Sequence, residues 1–272
     1  MNKVSVERLT ARPTLACNLK CRYCNEYSPQ YESPILPALS KIKTDIDRTF
    51  RLIDYINIFE VSGGEPLLYK QLPQMLQHIN LYNERYRFFS LVTNGSILMN
   101  GATLTALRII GPKARVIVDD YGSELSKHAR DNARLLAEAG IRYELRDQYV
   151  DIHEDGWLDF SDLSLKRDES AAKQLFAECV CPQKLRWVIT LHNGKLYPCH
   201  VSRRCTELKI IQENPVECIN IHDPALSDEE LRENIMGLYS LEVLRACAYC
   251  SGFVSRRERM RPAEQLSKMA TK

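Results

Sequence analysis

The sequence predicts an α/β protein built on a parallel sheet, and three observations predict it. Short apolar runs alternate with longer helix-like segments through residues 4–145. Strand then helix, repeated, means βαβ units. Polar and glycine-rich segments follow the strands, at the end where parallel α/β folds build their sites. Finally, the ten cysteines fall into two groups. Cys17, Cys21 and Cys24 stand at the start, and Cys179, Cys181, Cys199, Cys205, Cys218, Cys247 and Cys250 lie in the last third. The span 25–178 has none, which predicts two parts, 1–160 and 161–272.

The elements follow in order. Residues 4–16 contain an extended stretch leading into the first cysteines. Residues 57–61 read as a buried strand, ended by Gly63-Gly64-Glu65-Pro66. Residues 73–81 predict a helix with a proline start. Residues 88–93 are a second strand, closed by Asn94-Gly95, and 103–110 a short helix. Residues 115–118 are a third strand, closed by Asp119, Asp120 and Tyr121-Gly122. Residues 125–139 are the clearest helix, stopped by Gly140, and 141–145 another strand. Periodicity weakens after about 149: residues 151–159 are acidic and irregular, and 161–170 polar and linker-like. Residues 187–199 predict a β-hairpin turning at Asn193-Gly194. Residues 226–244 predict a helix, and 209–221 favour no element.

Bulk properties narrow the function. With 272 residues and 44% hydrophobic content, the chain can bury a large core. A net charge of +2 argues for neither nucleic acid nor an anionic membrane as partner. Residues 1–16 hold no apolar signal core, and no run reaches the roughly 18 apolar residues that span a bilayer. A soluble, cytoplasmic protein is expected. There, cysteines ask for metal or catalysis rather than disulfides.

Cys17-x3-Cys21-x2-Cys24 places three thiolates on one tight loop. They can hold three irons of a [4Fe–4S] cluster and leave the fourth iron open to a small ligand. A structural zinc site would take a fourth Cys or His at knuckle spacing. Neither zinc nor a redox CxxC explains Gly63-Gly64-Glu65-Pro66 one strand later.

Together with Tyr23, these two segments resemble the radical S-adenosylmethionine superfamily, over roughly residues 10–150. The resemblance implies a partial parallel barrel, commonly (β/α)6. It implies that the open iron chelates the amino and carboxylate groups of S-adenosylmethionine. Gly63, Gly64, Glu65 and Pro66 would then receive the amino group, and Tyr23 would lie by the adenine. Asn94 and one of Asp119 and Asp120 would bond the ribose. One electron, from an external donor such as flavodoxin or ferredoxin, cleaves the sulfonium bond. The resulting 5′-deoxyadenosyl radical removes a hydrogen atom from an unactivated carbon.

The late cysteines carry a second resemblance. Cys181 and Cys199 enclose residues 182–198, Cys199 and Cys247 enclose 200–246, and Cys247 and Cys250 form a CxxC. This layout resembles the twitch domain, the short form of the SPASM domain: a small β-hairpin plus helix holding iron and sulfur. The spacing is similar to that of 2-deoxy-scyllo-inosamine dehydrogenases, which oxidise an aminocyclitol alcohol. The resemblance implies an auxiliary [4Fe–4S] cluster on Cys181, Cys199, Cys247 and Cys250, closed and suited to electron relay. A four-cysteine zinc site remains chemically open, and Cys179 can replace Cys181 because Cys-Val-Cys offers both. Cys179, Cys205 and Cys218 are otherwise buried thiols. Cys205 is the candidate to return a hydrogen atom to a substrate radical.

The expected reaction oxidises an alcohol of a sugar-like or aminocyclitol substrate to a ketone. Redox-neutral epimerisation through Cys205 and maturation of a ribosomally made peptide are the alternatives. Only 16 residues precede Cys17, which lowers the peptide reading. Asp151, His153, Glu154, Asp155 and Trp157 either line the barrel mouth or form a solvated connector. Arg142 and Arg146 share a strand face and either meet an anion or pair at the surface. The basic run 256–261 reads as a solvated tail.

Overall fold

The computed structural model describes residues 3–34, 36–153 and 155–266. The first half alternates as expected: β1 (Ser5–Ala11), α1 (Leu39–Leu52), β2 (Tyr55–Val61), α2 (Leu72–Asn80), β3 (Tyr86–Thr93), α3 (Gly101–Ile110), β4 (Ala114–Asp120), α4 (Ala129–Glu138) and β5 (Arg142–Asp147). Neighbouring strands pair in parallel, for example Leu9 with Phe59, Phe59 with Phe89 and Val116 with Tyr143. Helix faces explain the layering. Ile42, Ile46, Thr49 and Phe50 of α1 recur at helical spacing and are buried against the sheet. Phe50 meets Phe59, which packs on Tyr86 and Phe89. Asn100 caps α3 by accepting from Thr103 N–H, and Gly111 ends it at φ 78°.

The helix expected at 125–139 starts at Ala129. Ser126 is the reason. Its Oγ accepts from Tyr121 N–H (2.9 Å) and reaches Asn94 O (2.7 Å) and Asp119 O (3.1 Å). Local bonds of this kind hold the backbone in a turn and fasten the ends of β3 and β4 together.

The second half contains α5 (Glu169–Glu178), α6 (Val180–Gln183), β6 (Ile189–His192), β7 (Lys195–Tyr197), α7 (His200–Glu207), β8 (Ile219–Asn220) and α8 (Asp228–Gly237). The hairpin turns at Asn193 (φ 50°) and Gly194 (φ 72°), the paired positive φ values of a type I′ turn. The helix expected at 226–244 ends at Gly237 and passes into a short 3₁₀ turn, Leu238–Ser240.

All eight strands form one open sheet, ordered β5-β4-β3-β2-β1-β6-β7-β8. This refines the expected (β/α)6 walk. Five strands run in sequence, and the sixth parallel strand lies on the far side of β1, with Leu9 opposite Ile189. After β5 the chain passes through α5 and α6 to β6, which pairs with β1 and leaves β5 as an edge. The edge itself is exposed at Tyr143 and Leu145, whereas Ile189 and Leu191 of β6 are buried. The boundary expected at 160 is therefore not a break in the sheet. No described helix is long and apolar enough to cross a membrane.

The basic run is only partly solvated: Arg256, Glu258 and Arg261 are exposed, whereas Arg257, Arg259 and Met260 are half-buried. Arg257 donates to Asp159 O (3.0 Å), Arg256 pairs with Glu178, and Met260 N–H donates to Trp157 O (2.9 Å). The chain then returns to the first cysteine loop.

Candidate active site

A cavity of about 280 Å³ opens at the C-terminal ends of β1–β5 and runs along the inner face of the sheet. Cys17, Cys21 and Cys24 line one part of it, and Cys181 and Cys199 another. The fold thus brings the first cysteine group and two of the late cysteines to one space.

Burial raises the Cys17 thiol to about 11 and the Cys21 thiol to about 12, and neighbouring thiols push the same way. Iron must displace those protons on binding. Hydrogen bonds already aim at the sulfurs: Asn94 Nδ2 lies 3.6 Å from Cys17 Sγ, and Gln265 Nε2 lies 3.3 Å from Cys21 Sγ. Among the described residues, no three His, Cys, Asp or Glu side chains converge on a single ion. Three thiols on one loop beside a cavity fit a four-iron cluster that keeps one iron open.

The glycine turn after β2 is laced to the segment that leads into Cys17. Gly64 N–H donates to Thr14 O (3.0 Å) and Glu65 N–H to Ala16 O (2.8 Å). A Cβ on Gly64 would sit 2.1 Å from Ala16 O, and one on Gly63 (φ 133°) 2.5 Å from Thr14 O. Only glycine fits either position. Both line the cavity.

Of the four residues expected to receive the amino group, Glu65 keeps its carboxylate inside the fold. It is 0% exposed and does not line the cavity. Oε1 accepts from Leu67 N–H and Thr93 Oγ1 (2.9 Å each), and Oε2 from Asn94 N–H (2.8 Å). Burial raises its carboxyl to about 7, against the pull of these three donors. The side chain fastens the end of β2 to the end of β3. Pro66 is buried at the start of the 3₁₀ turn Pro66–Leu68.

Asn94, Asp119 and Tyr23 line the cavity. Asn94 Oδ1 accepts from Ser96 N–H (2.9 Å), and Asp119 Oδ1 from Gln148 Nε2 (2.6 Å). Asp120 is turned aside, its Oδ1 accepting from Gly122 N–H (2.8 Å). Of the two aspartates, Asp119 faces the space.

Among the late cysteines, Cys199 caps α7, its Sγ accepting from Ser202 N–H (3.3 Å). Cys250 Sγ accepts from Gly252 N–H (3.2 Å). Cys179, Cys199 and Cys247 pack with Cys181 against the main core, and Cys199 and Cys250 pack against the cluster of Tyr27, Leu158 and Phe160. The fold gathers these five thiols. Burial lifts Cys181, Cys247 and Cys250 to about 12.

Cys205 does not line the cavity. It is 0% exposed, packed with Tyr27, Leu158, Phe160 and Val201. That placement corrects the expectation of a hydrogen donor facing the substrate. Cys218 is buried beside Tyr197.

The acidic loop is split. His153 and Trp157 line the cavity, and His153 Nε2 is buried without a hydrogen-bond partner. Asp151 is exposed, Asp155 pairs with Lys184 (3.5 Å), and Glu154 lies outside the described residues. Arg146 lines the cavity at the end of β5, while Arg142, at the strand's start, bonds Pro112 O.

Sequence reasoning missed a buried charge network. Arg12 donates to Glu26 through Nε (2.6 Å) and Nη2 (2.5 Å). Arg203 on α7 donates to Glu26 Oε2 (3.1 Å), Glu207 (3.0 Å) and Tyr31 Oη (2.8 Å). Burial would raise the Glu26 carboxyl, but Arg12 and Arg203 outweigh it and hold it at about 2. The only signal was position: Glu26 follows Cys24 by two residues and Arg203 follows Cys199 by four.

Parts of the chain are similar to known proteins. A 138-residue segment is 33% identical to a probable GTP 3′,8-cyclase of Methanococcus aeolicus, covering 50% of this chain and 45% of that one. A 91-residue segment is 34% identical to the corresponding protein of Methanococcus vannielii, covering 34% and 29%. The chain thus matches less than half the length of these relatives. Among solved structures, BtrN in complex with AdoMet and 2-DOIA aligns at 18% identity and a TM-score of 0.59, covering 98% of this chain and all of that one. The anSMEcpe structure with bound AdoMet aligns at 15% identity and 0.52, covering 86% and 82%. Both share the fold. Residues 12–145, which begin just before Cys17 and include the glycine turn, match the Radical SAM superfamily, and over them the chain carries a radical SAM domain.

Proposed function

We propose that this protein oxidises a carbinol carbon of a small, sugar-like or aminocyclitol substrate to a ketone. One observation carries the reading: Cys17, Cys21 and Cys24 share a single cavity with Cys181 and Cys199 of the late group, and polar side chains such as Arg8, Asp119 and Arg146 line it. Cys17, Cys21 and Cys24 would hold the first [4Fe–4S] cluster, which with S-adenosylmethionine supplies a radical that takes a hydrogen atom from carbon. Cys181, Cys199, Cys247 and Cys250, in a twitch-like arrangement, would hold an auxiliary cluster that supplies an acceptor for one electron. An external donor of the flavodoxin or ferredoxin class would reduce the first cluster.

The chain's own groups do the rest. Backbone groups at Gly63 and Gly64 meet the amino group of S-adenosylmethionine, Asn94 and Asp119 its ribose, and Tyr23 its adenine. His153 Nε2 accepts the hydroxyl proton of the substrate. Arg8 and Arg146 orient substrate oxygens, and Trp157, Leu158 and Phe160 keep water from the radical. The balance is then complete: a hydrogen atom leaves carbon, a proton leaves oxygen, and one electron leaves the substrate.

The test uses anaerobic, reconstituted protein with dithionite, S-adenosylmethionine and a panel of aminocyclitols and sugars in D2O. A product lighter by two hydrogens, with 5′-deoxyadenosine, is expected. Cys17→Ala should stop 5′-deoxyadenosine release. A product of unchanged skeleton carrying one solvent deuterium would replace the reading with epimerisation.

A further inference from the structure

We propose that segment 260–266 is a strap that tunes the first cluster, with Gln265 as a hydrogen-bond donor to the Cys21 sulfur. The proposal rests on the radical S-adenosylmethionine assignment of Cys17, Cys21 and Cys24. An isolated antiparallel bridge pairs Cys21 with Gln265. Arg22 N–H donates to Glu264 O (2.7 Å), and Leu266 N–H donates to Lys20 O (2.8 Å). The side chains of Arg22 and Glu264 also pair, at 3.1 Å. Ala263, 1% exposed, is pressed into an apolar cluster with Leu19, Cys21, Tyr121 and Trp157. The strap therefore lies on the cysteine loop itself.

The Gln265 side chain is held by three contacts. Oε1 accepts from Lys20 N–H at 2.8 Å. Nε2 lies 2.7 Å from Ala263 O and 3.3 Å from Cys21 Sγ. An amide has two N–H donors, so one serves each acceptor. Flipping the amide would set oxygen against a carbonyl and a sulfur, and nitrogen against an N–H. The surroundings thus fix the amide with a donor toward Cys21.

Reducing an iron–sulfur cluster adds negative charge that its sulfurs share. A donor aimed at a ligand sulfur favours the reduced form and raises the potential. Gln265 acts through Cys21 and touches no reacting atom, so it is a tuning residue. It also links reduction of the cluster to the seating of a segment that bonds the cavity wall through Met260 and Trp157.

The experiment is an EPR-monitored redox titration of the reconstituted full chain. Gln265→Met keeps length and removes the donor. Its first cluster should titrate at a more negative potential than in the parent, while the auxiliary cluster, as internal control, stays unmoved. 5′-Deoxyadenosine release driven by flavodoxin should fall several-fold and recover with a stronger reductant. Gln265→Glu keeps the Lys20 contact and sets an oxygen toward Cys21; it should move the potential the same way. If the Met variant loses iron, the Glu variant carries the comparison. An unmoved first-cluster potential in a loaded variant overturns the proposal. Parent protein that fails to release 5′-deoxyadenosine would instead overturn the reading beneath it.

Discussion

Arg203→Met removes the charge that ties the first cysteine loop to α7, the helix that Cys199 caps. Arg203 is 0% exposed and bonds the carboxylate and backbone carbonyl of Glu26, Glu207 and Tyr31. Removing one partner of a buried ion pair costs about 3–5 kcal/mol. Glu26 keeps Arg12, which sets the expected loss at the lower end, about 3 kcal/mol. A second route agrees. The Glu26 carboxyl falls from 4.5 to about 2, worth roughly 3 kcal/mol at neutral pH. Arg203 contributes less of that than Arg12. Its lost bonds to Tyr31 and Glu207 add about 1 kcal/mol each. At 2–4 °C per kcal/mol, the apparent Tm should fall by about 6–12 °C. The pH sign follows from Glu26. Its folded-state value lies below its unfolded one, so its stabilisation is complete above about pH 4.5 and is lost as pH falls through about 2. The gap between parent and variant should therefore be widest above pH 4.5 and narrow on acidification. Circular dichroism melts at fixed scan rate, under anaerobic conditions from about pH 3 to 8, measure it. A gap below about 2 °C, or one that widens toward acid, refutes the reasoning.

Two further outcomes are expected. Gly64→Ala drives a methyl group into Ala16 O, and either the turn or the cysteine loop must give way. Iron content or S-adenosylmethionine affinity by calorimetry should drop at least tenfold, and parent-like values in both would show that the turn has slack. Cys205→Ala removes a thiol that does not face the cavity. Product formation should stay within about twofold of the parent, with a core-truncation cost of about 1 kcal/mol; loss of product with intact 5′-deoxyadenosine release would restore the hydrogen-donor role.

What could be read in advance was what depends on local pattern. The strand expected at 57–61 lies inside Tyr55–Val61, and that at 88–93 inside Tyr86–Thr93, because apolar runs bounded by glycine and asparagine have one reading. Asn193-Gly194 gave the hairpin for the same reason. Long-range pairing was not legible. Nothing in residues 189–192 says that their partner is β1, about 180 positions earlier. Nor were the partners of the Glu65 side chain legible, because the donors that capture it, on Leu67, Thr93 and Asn94, meet only once β2 and β3 are paired. The basic run 256–261 looked solvated because charge implies water; it is so only in part, since Arg256 and Arg257 find Glu178 and the carbonyl of Asp159.

The open sheet decides where substrate can go. A closed barrel fills its interior with layers of branched apolar side chains. Here Leu9, Ala11, Phe59, Val61, Ile189 and Leu191 are buried in the main apolar core. The alternate positions Arg8, Arg12, Glu60, Ser62 and Thr190 line the cavity. Period-two alternation therefore gives the inner face to polar groups, and leaving it free of packed side chains forfeits little hydrophobic burial. Because β6 pairs with β1 rather than with β5, Val188 and Thr190 join that face, and Cys181 and Cys199, on either side of the hairpin, join the same cavity. Any molecule bound there shares the cavity with Cys17, Cys21 and Cys24 in one part and with Cys181 and Cys199 in another.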